Sequence, residues 1–193
     1  LPNHIVKGDA SMREGKWIKK ELKRTELYGK TLGILGLGRI GLAIAQRACA
    51  FQMKVLGWHA DVYFTDWAEL VPTMEEVIQR SDYVSLNMPL VPETNGIINK
   101  ETLKLFKDGA YVINTGRGKC VVEEDMVEAL TSGKIAGYAT DVWYSDPPEN
   151  SPLINAPNTI LLPHIGASTV ENMGRIATIV ERLIQDHVAR KNG

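Results

Sequence analysis

The hexapeptide Gly36-Leu37-Gly38-Arg39-Ile40-Gly41 closes a short apolar run and opens a stretch of helical periodicity. That is the context in which a glycine-rich turn can hold a phosphate. Gly36 permits a tight turn, Gly38 lets the backbone come close to a pyrophosphate, and Gly41 lets helix and strand pack closely. The amides of Arg39 and Ile40 then lie at a helix N-terminus, where free N–H groups and the helix dipole favour an anion. A dinucleotide-binding turn also calls for a carboxylate on the adenosine ribose, about 20 residues on. Here His59 stands eighteen residues after Gly41, with Asp61 two further along. A neutral imidazole can hydrogen-bond a ribose hydroxyl and Asp61 can reach it too; His59 can equally be a surface histidine at a strand end. No arginine falls at 58–62. That weighs against a 2′-phosphate, and so favours NAD over NADP.

Further segments combine polar side chains with turn residues. They are Asn87-Met88-Pro89-Leu90 with Pro92-Glu93-Thr94-Asn95-Gly96 behind it, Asn114-Thr115-Gly116-Arg117-Gly118, Asp141-Val142-Trp143 leading to Asp146-Pro147-Pro148, and Pro163-His164-Ile165-Gly166-Ala167-Ser168-Thr169. Each comes after an apolar run of strand length. In an open α/β sheet the binding crevice lies outside the carboxyl ends of the strands. All these segments therefore converge on one crevice with the glycine turn.

Alternating strands and helices are needed to place them there. Apolar runs predict strands over Thr31–Leu35, 53–57, Tyr83–Leu86, Ala110–Asn114, 137–142 and 159–162. Helical periodicity predicts helices over 42–51, Met74–Arg80, 101–106, 123–130 (ended by Ser132-Gly133) and 168–190, the last with Ser168 and Glu171 as a capping box. This alternation requires right-handed βαβ crossovers and a parallel sheet covered on both faces, a single Rossmann-type doubly wound α/β domain. The stretch 143–158 holds Pro147, Pro148, Pro152 and Pro157. It cannot be helix interior and reads as an ordered surface loop. Residues 1–28 stand apart as a basic segment of helical tendency, in which Lys19-Lys20-Glu21-Leu22-Lys23-Arg24 reads as a solvated face. Residues 29–193 then form the nucleotide-binding domain.

Composition narrows the function classes. The chain has 193 residues, 44% apolar and 23% charged, enough to bury a core. Lys and Arg number 22 against 23 Asp and Glu, so no basic excess points to nucleic acid or a membrane surface. No apolar run approaches the roughly 20 residues of a membrane span. Cys49 and Cys120 match no zinc spacing and imply no disulfide framework, so no metal site is expected and a cytoplasmic setting is. Cys120 reads as a small packed residue. The start, Leu1-Pro2-Asn3-His4, has no signal-peptide character and does not look like a natural beginning.

Gly36–Gly41, Asn114–Gly118, Asp141–Pro148 and Pro163–Thr169, in this order and spacing, resemble the D-2-hydroxyacid dehydrogenase family, which includes phosphoglycerate, glyoxylate/hydroxypyruvate and formate dehydrogenases. The likeness runs from about residue 8 to 190 and covers only the family's cofactor domain. It implies a missing substrate domain, and hence an excised or truncated chain that binds cofactor with little or no turnover. It also implies roles. Arg117 would hold the substrate carboxylate and carbonyl oxygen, a bidentate task suited to guanidinium. His164 would be the general acid/base. Asp146 stands where the family usually has Glu beside that histidine; being one methylene shorter, it requires the loop to close in or leaves the pair weakened. Asp141 would bind the nicotinamide carboxamide, and Asn87 would contact substrate. Met88, Pro89, Thr94, Thr115, Gly116, Gly166 and Ala167 would line the cofactor groove. The family dimerises through the segment corresponding to 8–28, so Met12, Trp17, Ile18 and Leu22 would enter a homodimer interface, or else pack on their own sheet.

Two local features pull apart. Asn87-Met88-Pro89-Leu90 and Asp141-Val142-Trp143 look like formate dehydrogenase, which has Gln at the place of Asp146. Formate oxidation moves only a hydride and needs no base, so Asp146 favours a small 2-hydroxy or 2-keto acid over formate. A reading of another class is a non-catalytic NAD-sensing scaffold like the corepressors that resemble this family.

Overall fold

The computed structural model describes residues 1–59, 62 and 64–192. Seven parallel strands form one sheet: β1 (Thr31–Leu35), β2 (Lys54–Trp58), β3 (Glu69–Leu70), β4 (Tyr83–Leu86), β5 (Ala110–Asn114), β6 (Ile135–Thr140) and β7 (Thr159–Leu161), in the order β3-β2-β1-β4-β5-β6-β7. Helices α1 (Ile5–Arg13), α2 (Arg39–Ala50), α3 (Met74–Arg80), α4 (Lys100–Leu105), α5 (Glu123–Thr131) and α6 (Val170–Asn192) join or flank them. This is the doubly wound α/β domain that the alternation required.

The strands are apolar on both sides because both faces of the sheet are covered. Leu32, Ile34, Val55 and Tyr83 pack with Ala45 and Ala48 of α2. Leu35, Val84 and Val112 pack on the other face with Val77, Leu103, Met126 and Leu130 of α3, α4 and α5. Asp82 ties the strand starts together. It accepts the Thr31 N–H at 2.8 Å and pairs with Lys107 at 2.9 Å.

Several boundaries differ from expectation. Helix α2 starts at Arg39, because the glycine turn lets the chain enter a helix at once. Strand β6 spans Ile135–Thr140 rather than 137–142: Ile135 is fully buried, and beyond Thr140 the chain leaves the sheet when the Thr140 Oγ1 accepts the Val142 N–H at 3.2 Å. The cap of α6 is Thr169, not Ser168. Thr169 Oγ1 accepts the Asn172 N–H at 3.0 Å, whereas the Ser168 N–H is spent on the Ile165 carbonyl. The edge strand β3 was not anticipated. In the N-terminal segment the helix is Ile5–Arg13, and the charge run 19–24 begins with a 3₁₀ turn, its lysines exposed. The proline-rich stretch is an ordered loop that buries Leu153 within a 3₁₀ turn, Pro152–Asn155.

Candidate active site

The register across the sheet sets the site. Leu35 lies opposite Leu86, Leu86 opposite Asn114, Asn114 opposite Thr140 and Thr140 opposite Leu161, so five strands end on one line. Gly36, Asn87, Thr115, Asp141 and Leu162 follow that line directly. The chain runs outward from β1 through β2 to β3 and returns to β4 on the other side, which makes the gap between the ends of β1 and β4 the switch point where open sheets take ligands.

The glycine turn occupies that gap. Gly36 has φ +99, and a Cβ there would stand 2.9 Å from the carbonyl carbon and oxygen of Asn87. A Cβ on Gly41 would overlap the Gly36 carbonyl oxygen. Gly38 differs: nothing lies within 4 Å of where its Cβ would stand. The first bond of α2 runs from the Leu42 N–H to the Gly38 carbonyl at 2.9 Å. The N–H groups of Arg39 and Ile40 precede it and have no intrahelical acceptor. An open cradle beside free amides at a helix N-terminus fits a dinucleotide pyrophosphate. His59 directly follows β2, one strand out from β1, and is half-buried. Asp61 lies outside the described residues.

Beside this cradle the β4 and β5 loops hold one another. The Asn87 side chain donates to Ser85 Oγ at 3.1 Å and accepts from the Thr115 hydroxyl at 3.3 Å. Asn114 donates to the Arg117 carbonyl at 3.0 Å and accepts the Gly116 N–H at 3.1 Å, shaping the turn that presents the exposed Arg117. Met88 is buried, and Pro89 and Ala167 are exposed. The Thr94 hydroxyl is turned inward, donating to the Pro89 carbonyl at 2.7 Å and accepting the Val91 N–H at 2.9 Å, so it shapes its loop. Cys120 is buried among these residues. Burial pushes its thiol pKa up, with Thr94 and Arg117 opposing, which fits a packed and unreactive thiol.

The β6 and β7 loops are closed on each other. His164 Nδ1 and Asp146 Oδ2 stand 2.6 Å apart, so the short carboxylate does reach the imidazole. Asp141, buried beneath them, accepts the Ile165 N–H at 2.8 Å on one oxygen and the Gly166 N–H at 2.6 Å on the other. His164 itself has φ +56, a region that non-glycine residues enter at a cost. The two amides on Asp141 follow it immediately, so they anchor the backbone of that strained residue. The resemblance gives Asp141 a cofactor role and does not indicate this anchoring. Sequence reasoning also missed Trp143, whose indole N–H donates to the Leu162 carbonyl at 2.9 Å and adds a third tie between the loops. An indole donor three residues past a strand end is the one signal that pointed to it. Arg117 sits on the neighbouring β5 loop, its side chain donating to the Gly116 carbonyl at 2.7 Å. Among the described residues no group of His, Cys, Asp and Glu could hold a metal ion, and no helix is long and apolar enough to cross a membrane.

Residues 1–166 match the family described as D-isomer specific 2-hydroxyacid dehydrogenase, NAD binding domain. The chain belongs to that family. It is 40% identical over 186 residues to D-3-phosphoglycerate dehydrogenase of Methanocaldococcus jannaschii, covering 94% of this chain and 36% of the relative. To glyoxylate reductase of Pyrococcus furiosus it is 41% identical over 189 residues, covering 93% and 56%. The crystal structure of NAD-dependent formate dehydrogenase from Staphylococcus aureus in complex with NAD superposes with a TM-score of 0.91 at 31% identity, covering 97% of this chain and 58% of that one. The chain thus spans between about a third and three fifths of the length of these relatives. As an NAD-binding domain of this family, it has the Rossmann architecture read from its motifs.

Proposed function

We propose that this chain binds NAD(H) between the ends of β1 and β4 and, joined to the further sequence that its relatives carry, transfers a hydride to or from C2 of a small 2-keto or 2-hydroxy acid of the phosphoglycerate or glyoxylate/hydroxypyruvate type. The observation that carries this reading is the 2.6 Å contact of His164 with Asp146 at the same end of the sheet as the nucleotide cradle. Gly36, Gly38, Gly41, Arg39 and Ile40 hold the pyrophosphate, and His59 stands nearest the adenosine ribose. The absence of an arginine at 58–62 supports NAD over NADP. Bound NAD(H) supplies the hydride acceptor or donor at C4 of its nicotinamide.

The residues of the chain do the rest. Arg117 holds the substrate carboxylate and its carbonyl oxygen with its paired N–H groups. His164 hands a proton to that oxygen during reduction and takes it back during oxidation. Asp146 fixes the imidazole through Nδ1, which leaves Nε2 for the substrate, and compensates the charge that His164 carries in turnover. Asp141 holds the loop that presents His164. Formate oxidation needs no such pair, so Asp146 favours the 2-keto acid, although Asn87-Met88-Pro89-Leu90 keeps the formate likeness. Full-length protein assayed with NADH on glyoxylate, hydroxypyruvate and phosphohydroxypyruvate, and with NAD on formate, tests the reading. Turnover of formate alone replaces the substrate, and NAD binding without any turnover points to a sensing scaffold.

The setting is cytoplasmic and the assembly a homodimer built on residues 8–28, with 29–193 as the nucleotide-binding unit. Met12 and Trp17 are 57% and 77% exposed, and Ile18 and Leu22 are half-buried beside them. Large apolar residues left this open support an interface. A monomer mass in light scattering at every concentration refutes it.

A further inference from the structure

Besides the Trp143 tie to Leu162, the loop that brings Asp146 to His164 is sewn to the molecule at two points, and both converge on the start of α5. Before Asp146, the Tyr144 hydroxyl donates to the Val121 carbonyl at 2.8 Å, two residues ahead of the first residue of α5. After Asp146, the Ser151 hydroxyl donates to Glu123 Oε2 at 2.5 Å. Glu123 is 5% exposed and belongs to none of the groups that touch substrate or cofactor. Burial pushes its carboxyl pKa up, with the Ser151 bond opposing. A buried carboxylate facing one hydroxyl is costly unless that bond is made. The bond therefore fixes where the far end of the loop lies.

Between the anchors the chain is short and internally braced. Ser145 Oγ donates to the Pro147 carbonyl at 2.9 Å and accepts the Glu149 N–H at 3.3 Å, closing a turn around Asp146. Neither bond reaches outside the loop, so its position depends on Trp143 and Tyr144 at the near end and on Ser151 at the far end, with Leu153 buried just beyond. An aspartate reaches roughly one C–C bond, about 1.5 Å, less far than a glutamate. Its contact with His164 requires the loop backbone to sit that much closer to β7.

We infer that Glu123, through Ser151, is the positioning residue that sets the loop so that the short Asp146 side chain meets His164. This rests on the reading of Asp146 and His164 as one acid/base unit. The carboxylate on Nδ1 keeps the neutral imidazole as the Nδ1–H tautomer, which frees Nε2. Release of the Ser151 anchor lets the loop withdraw, and the tautomer reverts.

The test is ¹⁵N NMR of the imidazoles in the 193-residue chain at alkaline pH, with His164 assigned by the signal lost in His164→Ala. Wild type and Glu123→Gln, whose amide oxygen still accepts from Ser151, are expected to show His164 as Nδ1–H. Ser151→Ala and Glu123→Ala are expected to lower the ratio of Nδ1–H to Nε2–H by about tenfold or more, as Asp146→Ala does. A purely structural role for Glu123 lowers the melting temperature but leaves the tautomer alone. If Ser151→Ala folds natively and keeps the wild-type ratio while Asp146→Ala inverts it, the inference is overturned and the pair stands. If Asp146→Ala also leaves the ratio unchanged, the acid/base unit itself fails and takes the inference with it. Ser151 is a small, half-buried loop residue, so its variant remains informative should Glu123→Ala not fold.

Discussion

The three glycines of the turn separate folding from binding. Gly36 is held at φ +99, and alanine there places a Cβ 2.9 Å from the Asn87 carbonyl and 3.0 Å from the Met88 nitrogen, both backbone atoms that cannot rotate away. The left-handed conformation costs about 1–2 kcal/mol and the overpacking about 1–3 kcal/mol. For a chain of this size each kcal/mol lowers Tm by roughly 2–4 °C, so Gly36→Ala is expected to melt about 4–20 °C below wild type. Gly38 has φ −69 and ψ −168, open to any residue, and free space where its side chain would go. Valine there costs the cap about 1 kcal/mol, or roughly 2–4 °C. It fills the cradle beside the Arg39 and Ile40 amides, however. Losing two charge-assisted bonds to a pyrophosphate, at about 1.5–3 kcal/mol each, weakens NAD roughly 10²- to 10⁴-fold. Calorimetric melting and isothermal titration with NAD measure the two effects on the same samples. The reasoning is refuted if Gly38→Val binds NAD within about threefold of wild type, or if it melts as low as Gly36→Ala.

His164→Ala is expected to cost about 10²–10⁴ in keto-acid turnover by the full-length protein, with NAD affinity nearly unchanged; single-turnover kinetics beside titration will show whether the loss lies in the proton step. Asp141→Ala strands the Ile165 and Gly166 amides, so both turnover and Tm should fall, with a stability loss of about 2–5 kcal/mol readable in urea denaturation. Unchanged Tm would mean that the loop does not depend on it. For Asp82, burial pushes the carboxyl pKa up, but the Thr31 N–H and the Lys107 and Lys30 charges outweigh it and hold the value low. A depressed carboxylate pKa stabilises the fold above its unfolded value, a gain lost as pH falls through the folded one. Asp82→Asn should thus lower Tm at neutral pH by a margin that shrinks toward zero in acid; a margin constant with pH contradicts this.

The glycine turn, the run of strand-end segments and the sheet they imply were legible because each depends on residue type at fixed spacing. Glycines are needed where a Cβ would meet backbone at 36 and 41, and strands covered on both faces must be apolar throughout. Boundaries were less legible, since they follow from partners distant in the chain. Strand β6 starts and stops where its neighbour β5 does, with Asn114 opposite Thr140, and nothing within 135–142 announces that register. The cap falls at Thr169 rather than Ser168 because the turn after His164 brings the Thr169 hydroxyl, not that of Ser168, to the Asn172 N–H.

The site shows the same division one level down. The family resemblance proposed the groups that would touch a ligand, and a guanidinium, an imidazole and a carboxylate each suit the task proposed for them. It did not name what holds those groups still, since the holding bonds run largely to backbone amides and carbonyls, which every residue has. The resemblance offers Asp141 as a cofactor-binding carboxylate and says nothing of its two oxygens gripping the amides of Ile165 and Gly166. Trp143 reads as an apolar loop residue, yet its indole ties the β6 loop to Leu162. His164 sits at φ +56, where a sequence reader expects glycine or asparagine. Strain of this kind persists only where the surroundings over-determine it. Asp141 from below, Asp146 from the side and Trp143 from the adjoining loop supply that over-determination. His164 can therefore keep one orientation although its side chain is half exposed.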